Sequence, residues 1–299
     1  MHASAALVAY IALIFLGGAV LAPGLFKLSN WSASHFPALD PLVTHPFHRY
    51  LNRSFLIVAF LTLWPFLRSI GVRSWRDLGL GRPPHRWRSV GRGFMIGFVS
   101  LACVATVTLA FEGRGLRLSG ELSVVSKRLI TALSSAIVVA VLEEVLFRGA
   151  LFGALRRILP WPSALLLSSV FFAALHFLQR PVPAEEISWN AGLALLPRML
   201  GGFADPRMLI PSLLTLTLAG LLLGLVYQKT GNLYCSIGMH AGWILWQKTY
   251  GFLTRDANGS NTLIWGSRKM VDGWLAFVVL LATLFFCWAL HRRRNELRL

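Results

Sequence analysis

Acidic residues are scarce in this chain: 12 Asp and Glu stand among 299 residues, against 29 Lys and Arg, and only 14% of the chain is charged. That poverty of charge, beside 56% hydrophobic residues and a mean hydropathy of +0.62, excludes a disordered or fully solvated chain and points to a polytopic membrane protein. Cysteine is nearly absent. Cys103, Cys235 and Cys287 all lie in apolar runs without CxxC spacing, so they are expected to be small buried hydrophobes, with neither a disulfide framework nor a cysteine zinc site. No internal repeat, Gly/Ser linker or low-complexity tract interrupts the sequence, and a single transmembrane domain over 1–299 is expected. A formal charge of +17 with pI ≈ 11.2 does not imply a nucleic-acid partner, because the basic residues are scattered over the connections between apolar runs.

Long apolar runs are what the chain has in plenty. Eight approach or reach the ~20 residues needed to cross a ~30 Å hydrocarbon core: roughly 5–26, 54–71, 92–112, 128–155, 162–178, 209–228, 232–250 and 272–290. The expected fold class is an all-α polytopic membrane protein, about eight transmembrane helices around an intramembrane cavity. The first run has no basic n-region (Met1-His2-Ala3), is long for a signal peptide, and carries Pro23 directly after the one plausible small-residue site, Val20-Leu21-Ala22; it is expected to remain as an anchor.

The densest basic clusters, Arg68 through Arg92 and the tail HRRRNELR, argue that both termini are cytoplasmic, with Arg156, Arg157 and Lys229 on the same side. Raw counts barely discriminate: 14 Lys and Arg fall on inner segments and 13 on outer loops, with Lys248 at a boundary and Arg148 within a span. Residues 68–92, punctuated by Gly and Pro-Pro, are expected to form a cytoplasmic surface loop, partly an interfacial helix with Trp75 and Trp87 at the headgroups. The patch LALLPRMLGG in the loop 179–208 is too short and proline-broken to span, and an interfacial or re-entrant segment is expected there.

Within the apolar run AIVVAVLEEVLFRGALFGAL sit Glu143, Glu144 and Arg148. Ionisable groups at such depth cost a few kcal/mol each even on lenient scales, so they face partners or a water-filled cavity. Glu144 and Arg148, at i and i+4 with the acid first, are expected to pair. Glu143 points ~100° away and must look to another helix. The next span brings His176, with Phe172 a turn before it, and a helical hairpin turning near Pro160-Trp161-Pro162 sets Glu143 and His176 at similar height. His240 lies in the seventh span; of the eight histidines, only these two fall well inside spans. A structural ion-pair clamp and hydrogen-bonding histidines are the plain alternative. A carboxylate facing an imidazole in a partly dry cavity is a constellation for hydrolysis: it holds a water, takes its proton and returns it to a leaving group, while a second imidazole donates to the developing oxyanion.

At these residues the chain resembles the CAAX prenyl protease and bacteriocin-processing family (CPBP, or Abi) of intramembrane glutamic endopeptidases. The motif EExxxR appears as Glu143-Glu144-Val145-Leu146-Phe147-Arg148, and FxxxH as Phe172-Ala173-Ala174-Leu175-His176. HAxxN is present only in part, as His240-Ala241-Gly242-Trp243-Ile244. The resemblance covers roughly 128–250, the expected catalytic core. It implies that Glu143 and His176 activate the water and that His240 helps hold the oxygen of the tetrahedral intermediate, with Glu144, Arg148 and Phe172 in supporting places. The family's asparagine falls at Ile244, which cannot donate, and an oxyanion contact worth ~3 kcal/mol in other hydrolases is lost unless Ser236 or Gln247 on the same face compensates.

A His₂Glu zinc site is the competing chemistry. It is disfavoured, because HExxH is missing and the resemblance implies a metal-free mechanism without cofactor. The implied partners are the lipid bilayer and a membrane-anchored or lipid-modified protein, cut near its C-terminus in the manner of CAAX or C-terminal sorting-type proteases, in a bacterial inner membrane. Two rivals remain. One is a catalytically degenerate protein on the same scaffold, an immunity factor, chaperone or regulator, for which Ile244 is the best evidence. The other is a proton-coupled transporter, which would predict an inverted repeat that the sequence does not show.

Overall fold

The computed structural model describes residues 3–39, 45–117, 121–183, 186–257 and 259–296, so residues 184 and 185 of the PVPAEEISWN loop and the last three residues of the basic tail lie outside the described residues. In chain order the elements are α1 Ala3–His35, α2 Phe47–Ser69, α3 Arg86–Ala110, β1 Arg114–Leu116, α4 Leu122–Glu144, α5 Trp161–Leu175, α6 Ala191–Met199, α7 Pro206–Thr230, α8 Tyr234–Leu253, β2 Thr254–Asp256, α9 Thr262–Trp265 and α10 Trp274–Glu296. The chain is an all-α polytopic membrane protein, 76% helical. Its two short strands form one antiparallel ribbon, Arg114 opposite Asp256 and Leu116 opposite Thr254.

A helix lies at each of the eight apolar runs. Five stretches among the described residues are long and apolar enough to cross a membrane, Ala3–His35, Phe47–Ser69, Arg86–Ala110, Leu122–Leu155 and Leu209–Thr230. At 15 residues, α5 is ~22 Å long, short of a ~30 Å core.

Packing divides the chain into two compact units, residues 1–73 with 176–205, and 74–175 with 206–299. In the first, α1 and α2 pack through Ala19, Ala22, Phe47 and Leu51, and α6 adds Ala191, Leu195 and Met199 to the same core. The LALLPRMLGG patch is thus a short helix seated on α1, close enough that a Cβ on Gly192 would stand 2.0 Å from Ala19 O. Residues 177–179 are captured by the end of α6 and the turn beyond it: Gln179 N–H donates to Met199 O at 2.8 Å, and Gly202 faces Phe177 O so tightly that a Cβ would come within 1.8 Å. This explains a departure from the expected span 162–178. The helix stops at Leu175, because residues 176 and 177 turn toward a tertiary contact that hydrophobicity alone does not reveal.

In the second unit α3 and α8 make the closest approach, glycine against backbone. A Cβ at Gly97 would stand 2.1 Å from Met239 O, and one at Gly238 would stand 2.0 Å from Val90 O. Small residues let helix backbones meet where lipid gives no hydrophobic drive. Two indoles lock the pair: Trp243 Nε1 donates to Ser100 Oγ and Trp246 Nε1 to Phe98 O, each at 2.9 Å. On α4 the buried positions are Ala132, Ala136, Ala140 and Glu144, every fourth residue, so an alanine stripe that lets the helix pack closely on α8 ends in a carboxylate.

Two expectations about surfaces change. Cys103 is exposed and Cys235 and Cys287 are partly exposed, so none is a buried core residue; apolar helix faces that meet lipid accept cysteine as readily as the interior does. Of the stretch 68–92, residues 70–85 are turns and irregular structure carrying exposed Trp75, whereas 86–92 are helical as the first turns of α3 and carry exposed Trp87, at 55% and 71%. The Gly and Pro residues of 70–85 suit turns better than helix.

Candidate active site

The site grows from the end of α4. At Glu144 the α-helix passes into an eight-residue π-helix, Val145–Phe152, before three more α-helical residues, Gly153–Leu155. The sequence alone predicts α-helix throughout. A π segment is rare and tends to mark functional sites, and its wider turn comes directly after the two glutamates. Apolar periodicity carries no signal for it.

Glu144 is fully buried and its Oε1 accepts two hydrogen bonds, from Arg148 Nη1 at 2.9 Å and from His240 Nδ1 at 2.9 Å. Arg148, 3% exposed, also donates through Nη2 to Gly220 O at 3.4 Å and lies 4.5 Å over the Phe172 ring. That ring meets His240 edge-on at 5.9 Å and Phe147 edge-on at 5.0 Å. Arg148 therefore has a carboxylate, a carbonyl and an aromatic face around it, as a guanidinium removed from water requires.

Glu143 is the half-buried member, its side chain 28% exposed, with Oε2 3.7 Å from His240 Nε2. Among the described residues neither that oxygen nor Glu144 Oε2 has a hydrogen-bond partner. The imidazole thus stands between the two glutamates, one at each nitrogen. The Glu144 carboxylate, paired with Arg148, can only accept, so Nδ1 carries a proton and Nε2 is the nitrogen turned to Glu143. This corrects the simple division in which Glu144 serves Arg148 alone: one carboxylate oxygen has lone pairs for both donors, and it fixes His240 as well as the arginine.

The other expected residues differ in burial and surroundings. His176 is the first residue after α5, exposed, in the turn that begins the second stretch of the first unit, rather than well inside a span. Ile244 is buried at 7% exposure, one turn beyond His240. Ser236, one turn before, is fully buried and its hydroxyl donates to Leu233 O at 3.0 Å. Gln247 is exposed. Among the described residues no group of three or more His, Cys, Asp or Glu is arranged to hold a metal ion. Sequence reasoning missed Ser100 and Trp243, which anchor the face of α8 next to His240. A tryptophan three residues from the histidine was the one local signal, but nothing nearby in the chain named its partner.

Residues 125–246 match the family model of type II CAAX prenyl endopeptidases, described as Rce1-like. This stretch belongs to the Rce1-like family. It holds Glu143, Glu144, Arg148, Phe172, His176, His240 and Ile244, and it ends before Gln247. Neither a curated protein nor a solved structure matched the chain. The matched segment is thus similar to CAAX-protease-like membrane endopeptidases, and its boundaries fall inside α4 and α8, the two helices that meet at Glu144 and His240.

Proposed function

We propose that the chain is an intramembrane endopeptidase that uses Glu143 to activate water and cuts a membrane-anchored or lipid-modified protein near its C-terminus. One observation carries this reading: of the two buried-run glutamates, Glu144 is fully buried with Oε1 committed to Arg148 and His240, whereas the Glu143 side chain is 28% exposed and sets its Oε2 beside His240 Nε2. Glu143 takes a proton from water as the oxygen attacks the scissile carbonyl. It then gives that proton to the departing amine as the C–N bond breaks. His240, with Nδ1–H held by Glu144, donates from Nε2 to the oxyanion as an imidazolium. In that state Glu143 is neutral, and the single positive charge left over from Glu144, Arg148 and His240 offsets the oxyanion.

By family resemblance His176 shares the activation of water. A site within the bilayer suits a tethered substrate, and the segment's family supports a protein substrate in a membrane. Both termini are proposed to be cytoplasmic, in a bacterial inner membrane.

Cleavage of candidate membrane-anchored substrates by the purified protein in liposomes tests this. Glu143→Gln, His176→Ala and His240→Ala should each lose activity by ~10²-fold or more while the chain stays folded. Wild type that cleaves nothing, together with Glu143→Ala that keeps the biological phenotype, sinks the protease reading. Activity lost to a chelator and restored by zinc would replace the glutamic mechanism with a metal one.

Ile244 favours a second reading, a non-catalytic protein on the same scaffold. Its buried side chain offers no donor one turn from His240, and the nearby Ser236 hydroxyl is already bonded to Leu233 O. Under the protease reading, Ile244→Asn preserves folding and raises or broadens cleavage; under the second it leaves every assay unchanged.

A further inference from the structure

One end of the second unit is assembled from three stretches far apart in sequence. Residues 74–85 form a strap across the turn between α7 and α8. There Leu233 N–H donates to Gly79 O at 3.0 Å and the Tyr234 hydroxyl donates to Gly81 O at 2.6 Å. Gly79 has φ +81, and a Cβ there would stand 2.7 Å from the Tyr227 ring, so the strap needs glycine on both counts. From the bend after α4, Arg156 Nη1 donates to Gln228 Oε1 at 2.7 Å and the guanidinium lies over Phe152 and Tyr227.

The assembled end is strongly basic. Arg76, Arg82, Arg88 and Arg92 are exposed along the strap and the first turns of α3, and Arg86 there is half-buried. The bend after α4 adds exposed Arg157 beside Arg156, and the end of α7 adds exposed Lys229. Across 74–92, 153–162 and 226–236 the one acidic residue is Asp77. The opposite end differs in kind: its basic residues are interspersed with Glu112, Glu121, Asp256 and Asp272, and Arg114 is buried against Asp256. The basic end also exposes Trp75, Trp87 and Trp161, at 55%, 71% and 43%, and Arg86 lies 5.6 Å from the Trp87 ring. Indoles beside arginines suit the headgroup layer, where the ring meets the hydrocarbon boundary and the cation meets phosphate.

We propose that this end is a docking face for anionic phospholipid headgroups, whose phosphates bridge the strap, the bend after α4 and the end of α7. The strap touches both site-bearing elements. Leu78, fully buried, packs against Gly149 of the π-helix, and the Gly79 and Gly81 carbonyls hold the start of α8, two turns before His240. Headgroups that fasten the strap therefore stabilise the relative placement of the π-helix and α8. This holds whether or not the cluster hydrolyses anything.

The test uses the full chain in bilayers of phosphatidylcholine alone or mixed with phosphatidylglycerol, with Tm as the readout. The mixed bilayer should raise Tm by about 3 °C or more, less so as salt is added. The combined Arg82→Gln, Arg88→Gln and Arg157→Gln variant should lose that increment, and co-purified phosphatidylglycerol measured by native mass spectrometry should fall with it. Arg117→Gln, Lys127→Gln and Arg255→Gln together, at the opposite end, should keep both. The proposal is overturned by no rise in the mixed bilayer, by equal losses in the two variants, or by the same rise on adding inorganic phosphate or a polyglutamate peptide to phosphatidylcholine bilayers.

Discussion

At the scale of single residues, two adjacent glutamates with the same chemistry have different surroundings. Each keeps an Oε2 without a hydrogen bond among the described residues, but Glu144 has no exposure and serves two donors through Oε1, whereas Glu143 is partly exposed. Substitution should separate them. Glu143→Gln keeps the packing and abolishes cleavage, whereas Arg148→Ala strands the Glu144 carboxylate in a buried site and costs about 3–5 kcal/mol, as removal of one partner of a buried pair does. Thermal unfolding in detergent beside the cleavage assay reads both; equal stability of the two variants would contradict the assignment. The i, i+4 pairing of Glu144 with Arg148 was legible from spacing. The link from Glu144 to His240 was not, because 96 residues separate them and only packing decides which imidazole nitrogen faces which carboxylate.

At the scale of elements, the site depends on how closely α3 and α8 approach. Gly97→Leu forces a side chain into the carbonyl of Met239, parts the helices and breaks the Trp243 bond to Ser100, which moves His240. A loss of roughly 1–3 kcal/mol or more is expected, as overpacking brings, with reduced folded yield. Gly153→Ala is the matched control, since its Cβ meets nothing nearer than Arg148 O at 3.9 Å, and it should leave Tm unchanged. Helix positions were legible because long apolar runs admit little else in lipid. Helix ends were less so: α5 stops at Leu175 because the residues after it bond to Met199 and face Gly202, contacts invisible to a hydropathy window.

At the scale of the whole chain, orientation follows from charge at the two ends of the second unit. With the basic end cytoplasmic, a single cysteine at Arg157, in a background lacking Cys103, Cys235 and Cys287, should resist a membrane-impermeant thiol reagent in intact cells. One at Lys127 should react. The reverse pattern would invert the topology. Sequence counts put 14 basic residues inside and 13 outside, nearly even. Folding sharpens that contrast by gathering three basic stretches around one acid, while four acids fall among the basic residues at the other end.

By itself the sequence determined that the chain is helical and membrane-embedded, since apolar runs of this length must satisfy their backbone groups internally, and that Glu143, Glu144 and Arg148 form a costly group in need of partners, with His176 and His240 as the candidates. Only the tertiary structure decided which partners. Glycine contacts bring α8 against α3, and an alanine stripe brings α4 against α8. Together they place one imidazole between two neighbouring carboxylates and leave Glu143 as the partly exposed one. That choice rests on distances of a few ångströms between residues far apart in the chain, which local periodicity does not encode.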